Sequence, residues 1–340
     1  MTVTNVEGGA LPTFRALLAT PADAGYRVGF QELSLDDLPA GGEVLVRVAY
    51  SSLNYKDGLA VTARGKILRQ LPIVPGIDLA GTVVESRSDR FAPGDRVLGI
   101  GQGLGELEWG GYAQMTRVRA DLLTRVPEAF SLEQAMALGT AGFTAMLCVM
   151  GLEHMDVRPE SGPVAVTGAA GGVGSIATML LARLGYRVTA VTGRPEAHEY
   201  LRGLGAAAFL DRAELAAPGA ALQPQRWAGA VDNVGGVYLA NLLSQIRYDG
   251  AVAACGMAAD SDLSVSVFPF ILRNVSLLGI SSTNTRQPKR DRCWERLARD
   301  VDPGLLAKIY RVEPLSRLPE LAAAIMAGRI RGRVVMDANA

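Results

Sequence analysis

The stretch Pro163–Leu184, PVAVTGAAGGVGSIATMLLARL, decides the fold. An apolar run, Pro163–Gly168, enters a turn that holds Gly168, Gly171, Gly172 and Gly174, and a helix-length apolar segment, Gly172–Leu184, leaves it. Strand, glycine turn and helix in that order are the context a dinucleotide-binding fingerprint needs. Glycines let the backbone come close to a pyrophosphate, and the helix start supplies N–H donors and the positive end of a dipole. The spacing is G-x-x-G-x-x-G rather than the commoner G-x-G-x-x-G, and a tight structural turn would read the same way in isolation. Its surroundings favour nucleotide binding. Strands at Arg187–Thr192, Phe209–Asp211, Ala228–Asn233, Gly250–Cys255 and Ser276–Ser281 alternate with helices at Glu196–Leu204 and Tyr238–Ile246. Strands separated by helix-length segments imply βαβ units and a doubly wound parallel sheet.

Upstream the pattern changes. From Phe14 to about Val126 the chain is β-rich, with strands at Glu43–Ala49, Leu79–Glu85 and Arg96–Ile100 punctuated by Pro75-Gly76, Pro93-Gly94-Asp95 and Gly110-Gly111. Alternating apolar and polar residues in EVLVRVA describe a half-buried strand. This half reads as an irregular antiparallel barrel, preceded by a loose leader at residues 1–12. The border falls near Ser131, where Ser131-Leu132-Glu133-Gln134 offers a helix start with Ser131 as N-cap and Gln134 three residues on. The chain closes with a helix at Leu318–Met326 and a strand at Gly332–Asp337.

Bulk properties narrow the function. A chain of 340 residues suggests two domains. Its 34 basic and 34 acidic side chains balance, so no basic stripe for nucleic acid and no acidic tail is expected. The start lacks a basic segment followed by an apolar run, so no signal peptide is expected. Gln134–Leu152 carries no charge, but Gly139, Thr140, Gly142 and Thr144 interrupt it, and it reads as a buried helix rather than a membrane span. Cys148, Cys255 and Cys293 form no disulfide framework, and a reducing cytoplasmic setting is expected. The two histidines, His154 and His198, lie at no zinc-like spacing from cysteine or carboxylate. No metal is expected, so polarisation of a substrate carbonyl falls to hydrogen-bond donors.

The second strand of the βα series selects the dinucleotide. An NAD site places Asp or Glu near its tip, to bond the ribose 2′-OH. Here Thr192-Gly193-Arg194 stands at the tip, with Arg212 after the third strand. A guanidinium meets a 2′-phosphate with a charge-assisted contact, so NADPH is the expected cofactor; the plainer alternative is a pair of solvated arginines.

Together these features resemble the zinc-free medium-chain dehydrogenase/reductases of the quinone-oxidoreductase-like group. Zinc-containing members carry Gly-His-Glu where this chain has Gly76-Ile77-Asp78. Within the group the acryloyl-CoA reductase branch matches best. The motifs are SSLNYKD at Ser51–Asp57, Pro75–Asp78, GTAGFTAMLCVM at Gly139–Met150, Thr192–Arg194, Trp227–Ala230, Ala253–Gly256 and PFILR at Pro269–Arg273. The resemblance implies a GroES-like β-barrel catalytic domain at residues 1–130 and 305–340, and a Rossmann cofactor domain at 131–304. It implies NADPH-dependent reduction of the C=C bond of acryloyl-CoA to propanoyl-CoA, and commonly a homodimer joined through the last strand of the cofactor domain. Cofactor contacts carried over residue by residue are Tyr55, Ala170, Gly171, Gly172, Val173, Thr192, Gly193, Arg194 and Arg212, with Met257, Leu272 and Arg329 further along. Asn233 and the Ser281–Thr285 segment depart from the family pattern near the expected nicotinamide or substrate side.

For the chemistry, Tyr55 is the first candidate and Asn54 the second; Asn54 and Asp57 equally suit the cap of a turn or helix. Arg64, Lys66 and Arg69 are candidates for CoA phosphates and equally suit ordinary solvated charge. An NADPH quinone or alkenal reductase, and a cofactor-binding protein without turnover, are the alternative readings.

Overall fold

The computed structural model describes residues 13–340, so the leader reading for residues 1–12 lies outside the described residues. The chain divides into two compact units. One comprises residues up to Val126, Glu313–Ala327 and Val335–Ala340; the other comprises Pro127–Val312 and Gly328–Val334.

In the first unit, β1 (Phe14–Pro21) and β2 (Tyr26–Leu33) form an antiparallel hairpin. There follow β3 (Val44–Ser52), α1 (Tyr55–Val61), β4 (Asp78–Ser86), β5 (Arg96–Ile100), β6 (Met115–Val118) and β7 (Leu123–Arg125). Val44, Val46 and Val48 of β3 are fully buried among Leu79, Val97 and Leu123, while Arg47 between them faces out, as a two-residue period demands. One edge of β3 carries β4, and the other is shared by β6 along Val44–Arg47 and by residues 335–337 along Tyr50–Ser52. Register shifts at Leu45/Val46 and Val48/Tyr50 bend the sheet, which is why the barrel is irregular.

In the second unit, α2 (Leu132–His154) precedes β8 (Val164–Thr167), α3 (Gly172–Arg183), β9 (Val188–Thr192), α4 (His198–Gly203) and β10 (Ala208–Asp211). Then come β11 (Trp227–Asp232), α5 (Gly236–Gln245), β12 (Ile246–Ala254), α6 (Phe268–Arg273), β13 (Ser276–Gly279), α7 (Gln287–Asp300) and α8 (Pro303–Leu306). The sheet order is β10-β9-β8-β11-β12-β13, and every neighbouring pair is parallel. Every residue of β8, β9 and β11 is buried, as strands covered on both faces should be. The winding reverses between β8 and β11, so the glycine turn after β8 lies at the switch point where such folds take ligands.

The predicted cap of α2 is present in both directions. Ser131 Oγ accepts from the Gln134 N–H at 3.0 Å, and Gln134 Oε1 accepts from the Ser131 N–H at 3.0 Å. Gly139, at φ 48°, kinks the helix. Its apolar window is 83% buried inside the fold, as a core helix would be.

The last elements are β14 (Tyr310–Pro314), α9 (Leu318–Met326) and β15 (Arg333–Asp337). The domain borders differ here from the expected ones, because residues 305–312 and 328–334 pack with the cofactor unit. Three hydrogen bonds show why. Gly332 N–H donates to the Ala170 carbonyl at 2.9 Å, Arg333 Nε–H to the Ala137 carbonyl at 3.0 Å, and Tyr310 O–H to Glu133 Oε1 at 2.6 Å. The sequence reading also lacked α7. Its core-facing set, Arg290, Cys293, Trp294 and Leu297, is sparse within a highly charged segment.

Candidate active site and cofactor cradle

The cradle of the second unit is built at the carboxyl ends of its strands. After β8 the chain turns through Gly168, at φ +57°, and starts α3 with Gly171 as N-cap. Gly174 has to be glycine, because a Cβ there would collide with the Gly168 carbonyl oxygen. Gly171, Gly172 and Val173 stay partly exposed, and the first turn of α3 carries no acidic residue. The Gly171 N–H donates to the Gly168 carbonyl at 2.9 Å, and the N–H groups of Gly172 and Val173, in the first turn of the helix, suit a pyrophosphate. Ala170, in contrast, is buried, and its carbonyl holds Gly332. Beside the turn, Asp232 at the end of β11 accepts from Thr167 Oγ1 at 2.6 Å and from the Gly235 N–H at 2.8 Å. Burial pushes its carboxyl above the usual range.

At the tip of β9, Thr192 Oγ1 accepts from the Arg194 N–H at 3.2 Å. Arg194 Nη1 donates to the Gly328 carbonyl at 3.3 Å, which brings the Arg329 segment beside it. Arg194, Lys308, Arg329 and Arg331 line one pocket of about 360 Å³, whose single carboxylate is Glu196. Arg331 also lies over the Tyr200 ring, 4.7 Å from its centroid. Arg212 reaches the same strand tip across Gly193. A cationic pocket at the end of the second strand fits an adenosine 2′-phosphate. The sequence reading names Arg194, Arg212 and Arg329, but not Lys308, Arg311, Arg331 or Arg333, which line the same pocket. The alternating run Arg329-Ile330-Arg331-Gly332-Arg333 was the available signal.

Met257 follows β12 and is exposed, its Cα against the position a Gly235 Cβ would take. Leu272 is exposed on α6 and does not line the cationic pocket.

In the first unit, Tyr55 opens α1 with 47% of its surface exposed. Asn54 is the N-cap of that helix and is buried. Its side-chain N–H groups donate to Asp57 Oδ2 at 3.0 Å and Asp78 Oδ2 at 2.9 Å, and Ser52 Oγ–H donates to Asp78 Oδ2 at 2.5 Å. Asp57 also accepts from the backbone N–H groups of Ile77 and Asn54. The side-chain N–H groups of Asn54 thus hold two buried carboxylates, and its backbone N–H donates to Asp57 Oδ2 at 2.9 Å. Burial, aided by the Asp78 charge, pushes the Asp57 carboxyl up to about 7. Among the described residues, no group of three or more His, Cys, Asp or Glu side chains could hold a metal ion. Where zinc members have a histidine ligand, Ile77 is buried and apolar.

Comparisons with known proteins agree with this geometry. The alcohol dehydrogenase GroES-like domain model matches residues 40–128, and the zinc-binding dehydrogenase model matches 172–299. The acrylyl-CoA reductase AcuI of Ruegeria pomeroyi is 52% identical, over 91% of this chain and 94% of that protein. The chain belongs to the acrylyl-CoA reductase branch of the medium-chain dehydrogenase/reductases. The chain is also similar to the crystal structure of Escherichia coli K-12 YhdH with bound NADPH. It superposes at a TM-score of 0.93 with 48% identity, covering 95% of this chain and 100% of that one. The crystal structure of Bacillus subtilis YhfP with NAD bound superposes equally well, at 0.93 with 45% identity, over 96% and 99% of the two chains.

Proposed function

We propose that this chain reduces the C=C bond of acryloyl-CoA to propanoyl-CoA with NADPH and without a metal. The observation that carries the cofactor half is the cationic pocket, where Arg194, Lys308, Arg329 and Arg331 converge at the tip of β9 with no carboxylate on the strand end itself. NADPH, when bound, supplies a hydride to the β-carbon of the enoyl thioester. The N–H groups of Gly172 and Val173 hold the pyrophosphate, and Arg194 with Arg212 holds the 2′-phosphate. Negative charge develops on the thioester oxygen as an enolate, which collapses to propanoyl-CoA when a proton from solvent adds at the α-carbon; without a metal that charge must be met by fixed donors, worth about 3 kcal/mol each. Tyr55, half-exposed beside the buried cap network, is the phenol available for that work in its unit.

The acrylyl-CoA reductase name of the Ruegeria relative supports the substrate half. A second reading, an NADPH quinone or alkenal reductase, is favoured by the name of the 45% identical Bacillus protein, a putative quinone oxidoreductase. One NADPH-oxidation assay separates them. On the first reading acryloyl-CoA has a kcat/KM far above that of methyl vinyl ketone; parity between the two would establish the second.

The enzyme works in the reducing cytoplasm, a placement supported by three cysteines that are all free thiols. It forms a homodimer, supported by the edge strand β13 and the exposed Phe268, Ile271 and Leu272 of the neighbouring α6. Sedimentation at the mass of one chain would refute the dimer.

A further inference from the structure

A second cavity of the cofactor unit, of about 500 Å³, is separate from the cationic pocket and has no part in the cradle described above. Its apolar wall includes Leu147 of α2 and Ile280, just beyond the carboxyl end of β13. Its polar rim carries Arg286, Lys289 and Arg292, all exposed, from the start of α7. Among the described residues, no carboxylate lies within ion-pair distance of any of these three cations, whereas Arg296 and Arg299 further along the helix are paired.

The rest of α7 behaves differently. One to two turns further on, Arg296 is held by Glu153 at 2.6 Å and by Asp300 at 2.6 Å, and Arg299 is held by Asp300 at 2.7 Å. Cations are therefore neutralised at the carboxyl end of the helix, where the dipole already favours them. They are left uncompensated at the amino end, where it opposes them. Three like charges around one cavity repel each other, and an anion in the cavity would relieve that repulsion. An apolar wall beside a cationic rim matches a phosphorylated ligand with an uncharged organic portion.

We propose that this cavity binds the phosphate groups of the coenzyme A arm, with Arg286, Lys289 and Arg292 as the anion-binding side chains. The inference rests on the reading of the substrate as a CoA thioester. It assigns the phosphates to these residues rather than to Arg64, Lys66 and Arg69, which are solvent-exposed in the loop after α1.

The test compares acryloyl-CoA with acryloyl-pantetheine, which lacks every phosphate, in NADPH-saturated enzyme. In R286A/K289A/R292A the KM for acryloyl-CoA should rise at least about tenfold, as for loss of charge-assisted contacts. The KM values for acryloyl-pantetheine and for NADPH should stay within about twofold, because those molecules use other contacts. If the triple variant does not fold, K289E alone, at an exposed position, should show the same selectivity. An unchanged KM for acryloyl-CoA overturns the proposal. So does an equal loss on both thioesters, or a CoA-selective loss in R64A/K66A/R69A instead. Calorimetric titration of free coenzyme A into the NADPH-loaded enzyme gives a readout that needs no turnover. If the wild type fails to reduce acryloyl-CoA but binds coenzyme A, and the triple variant does not bind it, the substrate reading falls and the anion site stands. If the wild type does not bind coenzyme A at all, the site falls.

Discussion

The Arg212 side chain lies across Gly193, so close that a methyl group on Gly193 would fall 2.5 Å from its Nε. Arg212 and Arg194 therefore flank a residue whose missing side chain makes room for a guanidinium. Gly193 does not adopt a left-handed backbone conformation, so alanine fits the backbone and only Arg212 must move. G193A should keep the wild-type melting temperature and raise the KM for NADPH several-fold. A large loss of thermal stability would show that Gly193 serves the backbone instead.

Arg194 should discriminate between the two nicotinamide dinucleotides. R194A removes a cation from the strand tip, and a charge-assisted hydrogen bond is worth about 1.5–3 kcal/mol. The KM for NADPH should rise by about 10- to 100-fold, while that for NADH should change little. Equal effects on both cofactors would remove the 2′-phosphate from this pocket.

Asp57 should leave a signature in the pH dependence of stability. Its carboxyl titrates at about 7 in the fold and at its ordinary value of 3.8 when unfolded. Between those values the folded protein holds a proton that the unfolded chain has released, so stability falls as pH rises from about 4 to about 7 and levels off above. In D57N, which cannot titrate, that contribution vanishes. Relative to D57N, the wild type should lose on the order of 2 kcal/mol of stability between pH 5 and pH 7, read from thermal melts across that range. Parallel pH profiles for the two proteins would show that Asp57 is ionised throughout.

The Tyr55 phenol is exposed and makes no hydrogen bond among the described residues, so removing the oxygen leaves no buried group there unsatisfied. Y55F should fold as the wild type does. If the phenol donates to the developing enolate, kcat should fall by about 10²-fold with little change in the KM for NADPH. A wild-type kcat would reduce Tyr55 to a packing role.

Exhaustive treatment with a chelator should leave activity unchanged, because Ile77 stands where zinc-containing members carry a histidine and no cluster of metal ligands occurs among the described residues. Loss of activity, restored by stoichiometric zinc, would contradict the proposed mechanism.

The βαβ succession was legible because local signals declare it: apolar runs of strand length, a glycine turn, and helices with an apolar face. The same holds for the cap of α2, where Ser131 and Gln134 are only three residues apart. α7 was obscured because its buried face includes Arg290, which rests 4.9 Å from the Phe143 ring and satisfies no apolar pattern. Asn54 was ambiguous because amide chemistry serves a substrate oxygen and a helix cap equally well. Its contact with Asp78, more than twenty residues away in the chain, appears only in the fold.

The amino-acid sequence by itself determined a doubly wound cofactor fold, a phosphate-binding turn at Gly168–Gly174 and a cation rather than a carboxylate after β9. Each of these rests on neighbours within one or two elements, where backbone geometry follows directly from residue type. Tertiary structure alone decided that Arg329, Arg331 and Lys308 join Arg194 around one pocket, and that residues 328–334 belong with the cofactor unit. The reason is the Gly332–Ala170 and Arg333–Ala137 hydrogen bonds. Pairing over such distances is selected by the energy of the whole packed fold, which no local pattern along the chain encodes.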